Sequence, residues 1–276
     1  MPRKIKIFPL NVSWACPEIV YSLKNFMDGN SKRISTDLYR LGVRKGEHLL
    51  IHSSLNSFGR FPDRAETIVK AFLDYLGDEG TLLMPSLSYK TVNKTQPLFN
   101  ELTTVSCVGG LTEFFRTYPG VKRSIHPTHS VCGLGAKADF LLKDHLKDET
   151  PCGPYSPFAK LPLIKGKVMF LGCGTRPNTS MHAVEEKFIP SYLFGEKVDH
   201  ELQLSSGKTL KKTYQRHGFK GYEQRYDRLF NVLDLGDYRT GKVLEAKSVV
   251  MDAMAIWEKG IQYLQQDPFY FVDRTN

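Results

Sequence analysis

Nine residues, Asn178-Thr-Ser-Met-His182-Ala-Val-Glu185-Glu186, have the types and spacing of a proton-transfer site. They follow an apolar run, Lys167-Val-Met-Phe-Leu171, and a Gly-rich turn, Gly172-Cys-Gly174, and they open an expected helix. That order places an imidazole in the first turn of a helix just past a buried strand, with carboxylates three and four residues further on. Open α/β folds put their chemistry at such strand-to-helix corners. A helix N-terminus disfavours added positive charge, which suits a neutral, proton-accepting imidazole. A carboxylate on the same helix face orients the ring and acts in the opposite direction. The same nine residues also describe a surface helix capped by Thr179, so the rest of the chain has to decide.

Three other segments gather polar residues at the ends of apolar runs. His52-Ser53-Ser54 follows a buried strand, where small hydroxyl residues leave backbone N–H groups open to a carbonyl oxygen or an amide-bearing chain; they also suit a plain turn. Lys122-Arg123-Ser124-Ile-His126-Pro-Thr-His129-Ser130 precedes Gly133 and Gly135 and has the makings of an anion site. It lacks the Gly-Lys-Ser/Thr ending of a P-loop. His126 and His129 suggest metal ligands, but no thiolate or carboxylate stands at usable spacing, so no metal is expected. Pro151 to Phe158 is a Pro-rich ordered loop suited to lining a cleft or to packing. Cys152 and Cys173 have no base partner in a recognisable motif and are expected to be structural thiols. No G-x-S-x-G elbow occurs. Glu223 and Asp227 are remote carboxylates that folding could carry to His182.

With 276 residues, 41% apolar and 24% charged, the chain is long and apolar enough for a full core, which excludes disorder as its main state. The net charge of +9 is dispersed. It suits an anionic small molecule, and no nucleic-acid module accompanies it. Five widely spaced cysteines without a C-x-x-C pair point to a reducing compartment, so the cytoplasm is expected. No apolar run approaches a membrane span, and the Pro-broken start does not read as a signal peptide.

Residues 1–33 read as an N-terminal extension closed by an Asp28-Gly29-Asn30 turn, and 34–276 as a single domain. Periodicity predicts helices over Ser35–Leu41, Pro62–Leu76, 106–118 and Val249–Leu264. Strands are expected over Gly46–Ile51, Gly80–Pro85 and Lys167–Leu171. His200 to Tyr214 alternates around Ser206-Gly207 as a β-hairpin, which is expected to join the sheet and make it mixed. The fold class is α/β.

In combination these segments resemble the aminoglycoside 3-N-acetyltransferase family, the antibiotic N-acetyltransferase group rather than the GNAT fold. The resemblance runs from about residue 34 to 265. It rests on Leu41-Gly-Val-Arg-Lys-Gly46, His52-Ser-Ser-Leu55 with Phe58-Gly59, Gly80-Thr-Leu-Leu-Met-Pro85 and Val108-Gly-Gly-Leu-Thr-Glu113 with Phe115-Arg116. Arg123-Ser124-x-His126-Pro127-x-x-Ser130, Gly135-Ala136, Ser156-Pro157 and Asn178-Thr-Ser-Met-His182-Ala-Val-Glu185 complete it. It implies a three-layer α/β/α fold with a largely parallel, mixed central sheet and a C-terminal β-hairpin. It implies direct acetyl transfer from acetyl-CoA, as co-substrate, to an amine, with His182 as general base.

The family supports this histidine with a carboxylate from later in the chain. Glu223 is the nearest match, Asp227 its substitute, and Glu185 the alternative close in sequence. The resemblance places His52, Ser53, Ser54, Leu55, Arg123, Ser124, His126 and Ser130 along the coenzyme groove, with Phe158 added from the Pro-rich loop. Two departures stand out. Phe61-Pro62-Asp63 replaces a common Gly-Gly pair, and a basic protein is an unexpected host for polycationic antibiotics. The acceptor is therefore expected among aminoglycosides or less cationic amino sugars, including phosphate- or nucleotide-linked ones. No membrane or nucleic-acid partner is expected, and a homodimer is left open. The competing reading, a non-catalytic anion-binding protein, predicts salt-sensitive oligonucleotide binding without thiol release.

Overall fold

A computed structural model describes residues 17–275, with side chains from Gly29 onward. Cys16, one of the five cysteines, lies outside the described residues. The first element, α1 (Pro17–Arg40), runs straight through Asp28-Gly29-Asn30, where the sequence suggested a turn. Gly and Asn cost a helix only about 1 kcal/mol or less each, whereas buried Ile34 and Leu38 bind α1 to the sheet. The helix stops at Gly42, whose φ of +81° suits a residue without Cβ.

In chain order, β1 (His48–Ser53), α2 (Arg64–Leu76), β2 (Thr81–Pro85), β3 (Leu98–Asn100) and α3 (Gly110–Arg116) follow. Next come β4 (Lys122–Arg123), β5 (Val131–Gly135), α4 (Ala138–Leu142), α5 (Pro157–Lys160), β6 (Lys167–Leu171) and α6 (Ser180–Phe188). The last third holds β7 (Phe194–Gln203), β8 (Thr209–His217), β9 (Tyr222–Gln224), β10 (Tyr238–Val243), β11 (Ala246–Asp252), α7 (Ala253–Gln266) and β12 (Val272–Arg274).

The main sheet has seven strands in the order β10-β11-β6-β1-β2-β5-β4. β6, β1 and β2 pair in parallel, and β11 and β5 run against them. The strands at the centre are buried on both faces, as their near-continuous apolar sequences require. Leu49 and Ile51 of β1 face α1, α2 and α3, whereas Leu50 faces α4, α6 and α7. Three layers result. Among the described residues, no helix is long and apolar enough to cross a membrane.

The β7–β8 hairpin forms around Ser206-Gly207 as expected, but it does not join this sheet. With β3 it makes a separate three-stranded sheet around Phe99, Leu202 and Tyr214. The main sheet is mixed instead because the β10–β11 hairpin closes one edge and β5–β4 the other. The segment expected to be helical from Val249 is strand as far as Asp252. Its β-branched Val249 and Val250 lie between β10 and β6. Asp252 then caps α7 by accepting from the Met254 and Ala255 N–H groups, both at 2.9 Å.

Candidate active site

A cavity of about 600 Å³ opens at the carboxyl ends of β1, β2 and β6. This is where an open α/β sheet offers a crevice, and the size suits a small-molecule site. Ile51, His52 and Ser53 end β1 along its wall, and Pro85 ends β2. The β6–α6 corner supplies Cys173, Arg176, Thr179 and His182, and the end of β8 supplies Arg216 and His217. The corner is tight at Gly172. Its φ is +70°, and a Cβ there would lie 1.8 Å from Ser57 Oγ. Ser57 Oγ in turn donates to the Ser54 carbonyl at 2.6 Å, and the Ser54 N–H donates to the Leu171 carbonyl at 2.9 Å, which ties the ends of β1 and β6 together.

His182 sits two residues into α6 and, among the described residues, is held on one side only. Its Nδ1 lies 3.1 Å from Glu185 Oε2 and 2.9 Å from the Tyr226 hydroxyl. Glu185 is fully buried, and it accepts from the Tyr226 hydroxyl at 2.7 Å and the Tyr192 hydroxyl at 2.8 Å. Glu185 Oε2 accepts from the Tyr226 hydroxyl and, in the matching tautomer, from Nδ1–H, which leaves the lone pair on Nε2. Burial, with the Glu185 charge adding to it, pushes the Tyr226 and Tyr192 phenols up, which keeps both as donors. The result is an oriented imidazole whose Nε2 has no hydrogen-bond partner among the described residues.

Beside it stands a second pair. His217 Nε2 donates to Glu186 Oε1 at 2.8 Å, and the ring centroids of His182 and His217 are 4.6 Å apart. Glu186 also accepts from Thr150 Oγ1 and the Cys152 N–H. Burial nonetheless lifts its carboxyl to about 7, and burial drives His217 well down. His129 completes the group, 5.2 Å from His217 ring to ring, with Nδ1 2.9 Å from Thr128 Oγ1. No carboxylate lines the cavity among the described residues, although Arg176 is paired at the rim with Glu223 and Asp227.

The matches to known proteins accord with this arrangement. Residues 50–265 match the model of a family described as aminoglycoside 3-N-acetyltransferase. The chain belongs to the aminoglycoside 3-N-acetyltransferase family. It shares 29% identity over 264 residues with aminoglycoside N(3)-acetyltransferase III of a Salmonella species, covering 85% of this chain and 91% of that one. A prophage-derived aminoglycoside N(3')-acetyltransferase-like protein of Bacillus subtilis is 32% identical over 172 residues, 55% of this chain and 63% of the relative. A solved structure of AAC-IIIb in binary complex with CoASH superposes with a TM-score of 0.75 and 27% identity, covering 86% of this chain and 96% of that one. The relatives bearing the family name are acyltransferases, and the α/β fold agrees with theirs.

Against this family background the expected site residues divide into two groups. His52 and Ser53 line the cavity with His182, and Glu185 stands directly behind it. His52 stacks on Phe170 with centroids 5.2 Å apart, and burial drives its ring down to about 3. Ser54 instead starts the 3-10 turn Leu55–Phe58, and Leu55 packs against the α1–α3 side of the core. Phe158 is wholly buried in the opposite core cluster and does not reach the cavity.

Arg123, Ser124, His126 and Ser130, expected along the coenzyme groove, do not line this cavity. Arg123 donates to Ser130 Oγ and to the carbonyls of Ser86, Glu101 and Thr104, so its guanidinium is committed to the protein. Burial lowers it to about 10. Ser130 Oγ donates to the Ser86 carbonyl, and Ser124 Oγ accepts from the Val131 N–H. His126 Nδ1 accepts the Thr128 and His129 N–H groups, while its ring stacks on His145. These residues hold the turn that presents His129.

Glu223, the expected partner of His182, does not contact it. It is exposed on β9 and bonded to Arg176 at 3.0 Å, and the carboxylate on His182 is that of Glu185. Asp227 pairs with Arg225. The segment does reach His182, but through Tyr226. Tyr226, Tyr192 and His217 carried no motif, since each is assembled from a different element. The remaining signal was weak: a tyrosine beside the suspected carboxylates, and a His-Gly step at the end of a predicted hairpin. Burial raises the Cys152 thiol and brings that of Cys173 to about 11, so neither offers a ready thiolate.

Proposed function

We propose that this protein transfers the acetyl group of acetyl-CoA to an amine of an aminoglycoside or related amino sugar, with His182 as general base. The observation that carries this reading is the one-sided hold on His182. Its Nδ1 is tied to buried Glu185 and Tyr226, which leaves Nε2 free on a ring that lines the cavity. As the acceptor nitrogen attacks the thioester carbon, the new C–N bond forms and Nε2 takes the amine proton. The C–S bond then breaks, and the imidazolium returns that proton to the CoA sulfur. Glu185 faces the transient positive charge at 3.1 Å. Transfer is direct, within a ternary complex in which positioning replaces a covalent enzyme intermediate.

His52 and Ser53 are the coenzyme-groove residues this reading retains, and Arg176 and Arg216 are the cavity cations that suit coenzyme phosphates. The four described cysteines are free thiols, which accords with action in the cytoplasm. The test is thiol release from acetyl-CoA across a panel of aminoglycosides and neutral or phosphorylated amino sugars. His182→Ala should lower kcat by about 10²–10⁴ while CoA affinity stays within about threefold. Turnover like that of the parent would remove His182 from the base role, and absence of CoA binding would sink the whole reading.

A further inference from the structure

Three of the four histidines that line the cavity, His129, His182 and His217, share a feature that proton transfer by His182 does not use. Each has one ring nitrogen tied to an oxygen. His182 Nδ1 faces Glu185 Oε2 at 3.1 Å, His217 Nε2 faces Glu186 Oε1 at 2.8 Å, and His129 Nδ1 faces Thr128 Oγ1 at 2.9 Å. Each therefore has the other nitrogen to spare. His217 Nδ1 is buried and has no hydrogen-bond partner among the described residues. A buried polar atom left without a partner calls for an explanation, and an absent ligand is one.

One ring nitrogen from each of the three lies within 4.8 Å of the other two. They come from three separate elements: the turn before β5, the first turn of α6 and the last residue of β8. Metal-binding histidines characteristically anchor the non-ligating nitrogen on a carboxylate or another oxygen, which fixes tautomer and ring orientation. Here two of the three anchors are carboxyl groups, those of Glu185 and Glu186, which stand directly behind the site. Three imidazoles facing a cavity also match the ligand number of zinc sites that keep a fourth position open.

We propose that His129, His182 and His217 form a three-imidazole site for a borderline-soft divalent ion, with Zn²⁺ the fitting case, and that the bound ion switches acetyl transfer off. Zinc–nitrogen bonds of about 2.0–2.1 Å in a tetrahedron need nitrogens about 3.3 Å apart. Side-chain rotations that move the nitrogens by roughly 1 Å close the present spacing to that value. The inhibition follows from a single lone pair, because His182 Nε2 cannot hold an ion and accept the amine proton together. Calcium and magnesium, which require oxygen ligands, should not compete.

The inhibitory half rests on the proposed role of His182; the binding half does not, so the two are measured separately. The full-length, chelator-treated protein is titrated with Zn²⁺ against a chromophoric chelator, and with Co²⁺ by visible absorption. Expected are one ion per chain, a Kd of about 1 µM or tighter, and intense d–d bands in the 500–650 nm region characteristic of four-coordinate Co²⁺. His129→Ala and His217→Ala should each weaken Zn²⁺ binding at least tenfold, whereas His48→Ala, a histidine outside the cavity, should not. His217→Gln serves where the alanine variant unfolds. Absence of stoichiometric binding, or binding that survives both cavity variants, overturns the site. Zn²⁺ should then stop thiol release, and EDTA should restore it. Binding without inhibition overturns the switch while leaving the site in place.

Discussion

Mild acidification should destabilise this protein unusually strongly, and the size of the effect follows from its buried imidazoles. His52, His126, His129, His145 and His217 are all held well below the ordinary histidine value by burial, with His52 and His145 at about 3. The hydrogen bonds agree with neutral rings. His126 Nδ1 accepts two backbone N–H groups, and a proton there would break both. His145 Nε2 donates to the Pro151 carbonyl, which leaves Nδ1 to accept from the Ser124 hydroxyl. In the unfolded chain each ring titrates near 6.5. Below that value the unfolded state binds protons that the folded state refuses. Stability is therefore complete above about pH 6.5 and is lost as pH falls towards the folded values.

Between pH 7 and about 5.5 each of the five rings costs about 1.2 kcal/mol, or about 6 kcal/mol together. Two carboxyls oppose them. Burial raises Asp148 to about 6 and Glu186 to about 7, so both take up protons in the folded state first. They return about 2 kcal/mol over the same interval, leaving a net loss of about 4 kcal/mol. That is a large part of the roughly 5–15 kcal/mol of an ordinary domain. Urea unfolding followed by circular dichroism at pH 7.0, 6.0 and 5.5 measures the loss directly. His52→Phe, which keeps the stack on Phe170 but removes one titrating ring, should reduce the drop by about 1.2 kcal/mol. A stability that changes by less than about 1 kcal/mol over this range would refute the reasoning, since the buried rings would then be exchanging protons freely.

Three further outcomes are expected. Glu185→Gln replaces the acceptor behind His182 with an amide whose NH₂ group conflicts with one of its three donors. It should lower kcat by about 10²–10⁴ with little change in CoA affinity by calorimetry, and a loss below twofold would exclude Glu185 as the positioning carboxylate. Arg123→Ala strips a partner from the buried Ser86 carbonyl, the half-buried Glu101 and Thr104 carbonyls and Ser130 Oγ, and should cost about 3–5 kcal/mol in chemical unfolding. CoA affinity of the folded fraction should stay within about threefold, and a tenfold loss would return Arg123 to the coenzyme groove. Gly172→Ala should destabilise by more than about 2 kcal/mol, because its Cβ meets Ser57 and its φ is positive. Adding Ser57→Gly should recover the steric part of that loss, and no recovery would place the cost elsewhere.

The alternation and length of apolar runs made β1, β2 and β6 and the helix from about residue 64 legible, since local periodicity reports burial directly. The hairpin at Ser206-Gly207 was readable from its turn, but the sheet it enters was not. Strand pairing depends on which edges are free after the core has closed. The helix predicted from Val249 failed for a related reason. Val249, Val250 and Met251 suit either state, and pairing with β6 and β10 decided in favour of strand.

Within the site, the sequence by itself determined that His182 would open a helix at a strand end and that Glu185 or Glu186 would share its face; the fold chose Glu185. That spacing is local and survives in any tertiary setting. Only the fold decided that Glu185, rather than Glu223, stands behind the ring. A carboxylate on an edge strand is drawn to the nearest exposed cation, here Arg176, while Tyr192 and Tyr226 shelter Glu185. Only the fold showed that Arg123 is spent on carbonyls and that His129 and His217, separated by 88 positions of chain numbering, meet at His182. Residue type reveals what a side chain can bond. Packing decides which partners are left for it.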